Sequence, residues 1–327
     1  VLFIFLSLMI YLKKLVILLF LLFIIPNTEA KTLTIVLPAA EDSHAINARL
    51  FSKYLKKHIN SNIEFKILPG AASVVAANYL YNNAPRDGSV IGVFFKNIPL
   101  IGAIGGPNIN FDASKFTWLG STADGRLDAV LLFSHKEYDD SLIVGSDNVV
   151  VADPIKFIKN MLNWNIKQIP GYRSPNEVRI AFERKEIDAF VNSLLGIKST
   201  RPNWLEDKNI KVLLQFGNGK IRHPNYPKVP TLAEMITEEQ QKLLSVFETQ
   251  YILLRPYVAP PNIPKEKAFE LREAFSKAVL DPEYKEEAIK LGIDVNPIDW
   301  KESETIVHLI YSEISLPSGS YKFQFLP

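Results

Sequence analysis

The 327-residue chain contains no cysteine. That excludes disulfide stapling, Cys-ligated zinc, iron–sulfur clusters and a thiol nucleophile. Net charge is nearly absent as well, since 37 Lys and Arg against 35 Asp and Glu leave +2. With no Lys/Arg-rich block, this balance argues against a general nucleic-acid binder. Catalytic signatures are missing too: there is no H-E-x-x-H, G-x-S-x-G, P-loop or G-x-G-x-x-G. The histidines His44, His58, His135, His223 and His308 share no metal-ligand spacing. Asp42-Ser43-His44 holds the residue types of a triad, but sequence neighbours point in different directions and cannot form the relay. Neither a cofactor, a metal nor catalytic machinery is expected.

The composition is that of an ordinary globular protein, 47% apolar and 22% charged, and the length suits two domains. Val1–Ile25 stands apart as a nearly continuous apolar run. Counted from Met9, it has the parts of a secretory signal: Lys13 and Lys14, the apolar Leu15–Ile25, then a polar exit ending at Ala30. An apolar stretch this short falls below the roughly 20 residues that span a bilayer. An uncleaved anchor using all of residues 1–25 is the alternative. The expectation is a signal over 1–30 and a mature protein outside the inner membrane, in the periplasm.

Beyond the leader, strand and helix signals alternate. Leu33–Leu37, Ile63–Ile67 and Val90–Phe95 read as strands. Between them lie a helix after Ser43, with Ile46, Leu50, Phe51, Tyr54 and Leu55 on one face, and a second helix capped by Ser73. This βαβαβ order predicts a parallel sheet with crossover helices. Further strands are predicted at Phe116–Ser121, Ala129–Ser134, Leu142–Val144, Val149–Ala152, Ile187–Leu194 and Val212–Phe216. Asp153-Pro154, Ser174-Pro175-Asn176-Glu177, Thr237–Gln240 and Asp281-Pro282 are helix starts. Three loops, Pro38–Ser43, Pro69–Ser73 and Tyr172–Asn176, follow strand ends and open onto helix N-termini. Such termini offer unpaired N–H groups to an anion, and ligands of open α/β sheets sit at the carboxyl ends of the strands.

Several segments resemble one family. Pro69-Gly70-Ala71-Ala72-Ser73 followed by Ala76–Asn82 is similar to its "PGAGG…AANYLY" loop and helix, and Ala84–Gly92 to its "APKDGTVIG" turn. Gly105-Gly106-Pro107, Phe116–Ser121, Gly171-Tyr172, Ser199–Trp204 and Arg255–Pro261 follow in order. These are the substrate-binding proteins of tripartite tricarboxylate transporters, the Bug-type receptors. The resemblance implies a type II-like, two-lobed α/β periplasmic binding protein, each lobe a mostly parallel sheet flanked by helices. Lobe 1 would comprise 31–126 plus 248–327, and lobe 2 would comprise 127–247. The implied function is capture of a small organic anion, a carboxylate or amino acid, by a monomeric receptor that serves inner-membrane transporter subunits. A sensor presenting a bound metabolite to a signalling partner is the alternative.

The ligand-binding residues expected on this basis are Ala40, Glu41, Asp42, Ser43, Gly70, Ala71, Asn97, Ser121, Tyr172, Arg173, Asp188 and Asn192. Lys96 and Arg126 are possible counter-charges. Asp87-Gly88 reads as a structural turn, and Trp118 and Trp164 as core. The sequence departs from the family where glycine is usual, at Ala39–Ser43, Ala72-Ser73, Ser146–Asn148 and Arg173–Pro175. Glu41 and Asp42 add negative charge there, which would suit a ligand carrying an amine, with Arg173 meeting its carboxylate.

Overall fold

The computed structural model describes residues 31–41, 43–146, 153–172, 174–217 and 219–315. The expected leader and the Val149–Ala152 strand lie outside them. The first sheet begins as the alternation predicts. Strands β1 (Lys31–Leu37), β2 (Ser61–Ile67) and β3 (Val90–Val93) alternate with helices α1 (Ser43–Leu55) and α2 (Val74–Asn82). β1 and β3 pair in parallel, Thr34 opposite Val90. After α3 (Ile98–Ile104) the chain forms β4 (Thr117–Ser121) and leaves for a second sheet.

That sheet contains β5 (Val130–Ser134), β6 (Leu142–Gly145), β7 (Ile166–Ile169), β8 (Ala189–Ser193) and β9 (Lys211–Phe216). Its helices include α4 (Pro154–Leu162), α5 (Pro175–Glu183) and α6 (Leu194–Thr200). Asp153, Ser174 and Ser193 cap them through their side chains. The chain then returns through α7 (Glu238–Glu248), opened by a capping box of Thr237 and Gln240. It completes the first sheet with β10 (Pro256–Ala259) and β11 (Ile298–Asp299), and adds α8 (Lys265–Val279), α9 (Pro282–Lys290) and α10 (Trp300–Ser315). The strand orders are β11-β4-β10-β3-β1-β2 and β7-β6-β8-β5-β9.

The result is a two-lobed α/β fold in which each sheet is mixed. β6 runs parallel to both β7 and β8. The first strand after each crossing is inserted antiparallel: β5 between β8 and β9, and β10 between β3 and β4. The two crossing segments are bonded to each other. Thr122 N–H donates to Arg255 O (3.2 Å), Leu254 N–H to Ala123 O (3.2 Å) and Gly125 N–H to Ile252 O (2.9 Å). Asp124 N–H adds a bond to Asn296 O (2.7 Å), so three stretches distant in sequence meet at the junction.

Aromatic packing holds each lobe. Phe51, Tyr257, Phe275 and Tyr284 interlock on one face of the first sheet, and Phe133, Phe182, Phe190 and Trp204 in the second lobe. Each such buried ring contributes on the order of 1.5–3 kcal/mol. Ile46 is a departure from the α1 reading, being 47% exposed, while Asn47 is fully buried. Asn47 Nδ2 donates to Tyr284 Oη (2.7 Å), and its Oδ1 accepts from Thr122 Oγ1 (3.1 Å) and Tyr257 Oη (3.3 Å). One amide thus ties α1 to the first crossing, to β10 and to α9. Trp118 is core, as expected, and Asp87 accepts the N–H and hydroxyl of Ser89 in a closed turn.

Candidate functional site

β3 leads into Phe94-Phe95-Lys96-Asn97, and this segment organises the junction. Phe95 N–H donates to Ser73 Oγ (3.0 Å), which pins the second loop to the strand end. Ser73 therefore does not cap α2 as its position in sequence suggested; its φ is 77° and its hydroxyl is spent on β3. Gly70, Ala71, Ala72 and Ser73 all have positive φ, at 127°, 45°, 47° and 77°. For residues with a Cβ this conformation costs roughly 1–2 kcal/mol each. The His44 ring packs 4.6 Å from that of Phe95, and its Nε2 lies 3.3 Å from Leu254 O. The first turn of α1 is thereby held against the return crossing.

Four polar side chains gather here. Lys96 is partly buried, with Nζ 4.1 Å from the Tyr251 ring centre, and it joins none of the ion pairs among the described residues. Desolvation lowers its ammonium to about 8, opposed by Asp128 and aided by Arg255. Asp128 is 5% exposed. Its Oδ1 accepts from Leu195 N–H (3.1 Å), while Oδ2 has no hydrogen-bond partner. Burial pushes its carboxyl up, against the field of Lys96 and the bonds from Leu195 and Ser193. Arg255 donates to Asp294 O (3.3 Å), leaving Nε without a partner, and Asn97 Oδ1 is likewise buried and unpartnered. Buried polar groups are nearly always bonded. Their concentration at one junction makes it the candidate site.

Asp128 also borders a small cavity of about 20 Å³ shared with Gln215, Phe216, Ile221 and His223. That is room for about one water, not for a ligand. Its wall is braced. Gln215 donates to Tyr226 O and Val229 O and accepts from His223 N–H. The buried Glu248 accepts from Gly217 N–H (2.7 Å) and Gly219 N–H (2.8 Å).

The expected ligand residues are scattered by comparison. Asn97 lies in the cluster, and Asn192, whose Oδ1 accepts from Ser193 N–H (2.8 Å), lies beside it. Ala40, Glu41, Gly70 and Ala71 are exposed on the first two loops. Asp42, Arg173 and the Ser43 side chain lie outside the described residues. Ser121 is fully buried, and its hydroxyl donates to Ala123 O (2.8 Å) and accepts from Arg255 N–H (3.1 Å), a role inside the crossing. Tyr172 packs against the second-lobe core. Asp188 sits at the opposite end of β8 from Ser193, where it accepts from Ile143 N–H (2.8 Å) and pairs with Lys136. Arg126 is held by Asp124 and Glu302. Asp128, Tyr251 and Arg255 are not among the expected site residues; an Asp directly before the apolar run Ala129–Phe133 was the signal available for the first. Among the described residues no group of His, Asp and Glu could hold a metal ion, and no helix is long and apolar enough to cross a membrane.

Two α/β lobes joined by paired crossings make up the fold. Solved structures show the same fold. MatC from Rhodopseudomonas palustris with bound malate superposes with a TM-score of 0.65 at 18% identity, covering 91% of this chain and 99% of that one. A second R. palustris protein, with adipate, gives 0.65 at 15% over 92% and 100%. A TctC solute binding protein from Polaromonas gives 0.59 at 14% over 91% and 99%. The neighbours are therefore TctC- and Bug-type proteins, the type that the sequence resembles. No protein-family model and no characterised protein matches the sequence itself.

Proposed function

We propose that this chain is an extracytoplasmic, non-catalytic receptor that captures a small organic anion between its lobes for a tripartite tricarboxylate-type transporter. The observation that carries the reading is Lys96: a partly buried ammonium at the lobe junction, resting on Tyr251 and joining none of the ion pairs among the described residues. A cation kept in that state is matched by an anion from solution. Hinge motion about the bonded crossings would close the lobes on it. The malate and adipate held by two of the structural neighbours are small carboxylates and support the same ligand class.

The test is a thermal-shift and calorimetry panel of di- and tricarboxylates, aromatic carboxylates and amino acids. A ligand at 100 times its dissociation constant adds about 2.7 kcal/mol, which moves the midpoint visibly. At least one carboxylate should bind and be recovered chemically unchanged, and Lys96→Met should weaken it. A panel with no shift, or binding indifferent to Lys96→Met, would remove the reading.

A further inference from the structure

Ser73 is an unusual residue for its backbone. It is buried, with φ 77°, in the left-handed region that glycine occupies without strain, and the family pattern has glycine at this point. A residue with a Cβ keeps such a conformation only where its surroundings impose it. The hydroxyl shows what the serine adds. β1 ends at Leu37, and its last registered pair with β3 is Val36 opposite Gly92, so the end of β3 runs on past its neighbour. On the other side, Phe94 N–H still reaches Pro256 O of β10 (3.2 Å). Phe95 N–H lies beyond the end of β1, and the Ser73 hydroxyl takes the place of a strand carbonyl (3.0 Å). Phe95 O accepts in turn from Ile98 N–H (3.2 Å), and the His44 ring packs 4.6 Å from the Phe95 ring. The residue before Lys96 is thus fixed through its N–H, its carbonyl and its ring.

We propose that Ser73 is a positioning residue for anion capture: its hydroxyl fixes the end of β3 so that the Lys96 ammonium stays over Tyr251 at the lobe junction. This rests on the receptor reading above and adds to it a residue that touches no ligand. A lysine ammonium is a point charge on a flexible four-carbon stem. Its Nζ lies 4.1 Å from the Tyr251 ring centre, and that placement depends on the backbone from which the stem starts. A group already held in place loses less freedom when an anion binds. Glycine at 73 removes the strain and the acceptor together. Alanine keeps the strain and removes only the acceptor, so the two substitutions separate the two effects.

Ser73→Gly and Ser73→Ala test the proposal on the purified full chain by titration calorimetry. The probe is malate, or the tightest binder of the carboxylate panel where malate does not bind. Both variants should bind it about 2–10-fold more weakly, the scale of one neutral hydrogen bond. Their thermal midpoints should part. Ser73→Gly should stay near the unaltered protein, because relief of strain offsets the lost bond, and Ser73→Ala should fall. Equal losses of affinity at unequal stability are not what a residue needed only for folding would give. A ligand-free readout follows Lys96 itself, by NMR of isotopically labelled lysine side chains with Lys96→Met for assignment. Burial holds this ammonium at about 8, with Asp128 opposing and Arg255 aiding. In both variants its midpoint should rise toward the ordinary lysine value as the strand end loosens and water reaches it. A Ser73→Gly protein that binds as tightly as the unaltered one, or a Lys96 midpoint unchanged in the variants, would overturn the proposal and leave the receptor reading standing. An unaltered protein that binds no carboxylate of the panel would overturn the receptor reading, and the proposal with it.

Discussion

Gly125 lies where the two crossings are in backbone contact, and a single methyl group there has a calculable effect. A Cβ on this residue would lie 1.9 Å from Tyr251 O and 3.0 Å from its carbonyl carbon. Both atoms are backbone, so no side chain can swing aside, and Gly125→Ala must push the two segments apart. Overpacking of this kind costs about 1–3 kcal/mol. The displaced segment also carries the bonds from Gly125 N–H to Ile252 O and from Asp124 N–H to Asn296 O. A donor stranded by their loss costs roughly 1–3 kcal/mol more. Together these come to about 2–6 kcal/mol, which lowers the thermal midpoint by roughly 4–24 °C at about 2–4 °C per kcal/mol, the slope for chains of 150–250 residues. Gly105→Ala is the control, because Gly105 has φ 74° with nothing within 4 Å of the added Cβ and suffers only conformational strain. That strain is about 1–2 kcal/mol. Differential scanning fluorimetry on the three proteins decides the matter. A Gly125→Ala midpoint no lower than that of Gly105→Ala would refute the claim that the crossings are locked together by backbone contact.

Three further outcomes follow from the same structure. Asn47→Ala strands the hydroxyls of Thr122, Tyr257 and Tyr284; a loss of about 2–4 kcal/mol is expected in urea unfolding, and a loss too small to measure would show that the amide is not the tie between α1 and the crossing. Ala72→Gly relieves a φ of 47°, so it should gain roughly 0.5–1 kcal/mol after glycine's own entropy cost, and a lower midpoint would count against strain in the loop. Lys96 is charged below about 8 and neutral above it. Anion affinity should therefore hold from pH 6 to 7.5 and fall as pH rises through 8 and 9, with Lys96→Met flattening the profile. For the ligand-free protein the sign reverses. The folded ammonium loses its proton before the unfolded one, so the unfolded state binds more protons from about pH 8 to 10.5 and stability gains from this residue over that window. Calorimetry across that range checks both slopes.

The fold was legible where one face of an element is buried and the other is wet. β2 alternates with the right period, α1 repeats with it except at Ile46 and Asn47, and the capping residues Asp153, Ser174, Thr237 and Asp281 mark helix starts that the structure keeps. α3 escaped because Ile98, Pro99, Leu100, Ile101 and Ile104 are buried on all sides, which leaves no period to read, and it carries a proline and a glycine. β10 was hidden among prolines, which sit at its first residue and just past its end. α10 did have a signal: Ile306, Val307, Ile310 and Ile314 repeat at helical spacing, and Asp299 accepts from Glu302 N–H (2.8 Å) at its start. The βαβαβ opening led to an expectation of mostly parallel sheets. β5 and β10 run against it because a chain that has just crossed between lobes enters the new sheet from the junction end.

The site was legible only in part, and the reason is distance in sequence. Lys96 could be picked out as a cation after a strand, but Asp128 and Arg255, 127 residues apart by number, acquire their role only when the crossings bury them together. The same burial decides which carboxylate has the stronger field. Glu41 is exposed, and a unit charge 4 Å away from an exposed group is worth about 1 kcal/mol in water, further reduced by salt. At the effective dielectric of a partly desolvated site the same separation is worth about 4 kcal/mol. Asp128, 5% exposed with one oxygen unpartnered, therefore outweighs the acidic rim that the sequence made conspicuous. The loop departures act in the same direction. Ala72 and Ser73 stand where the family pattern has glycine, yet both keep a left-handed backbone, and Ser73 spends its hydroxyl on Phe95 N–H. These substitutions strain the loop while bracing the strand end that carries Lys96.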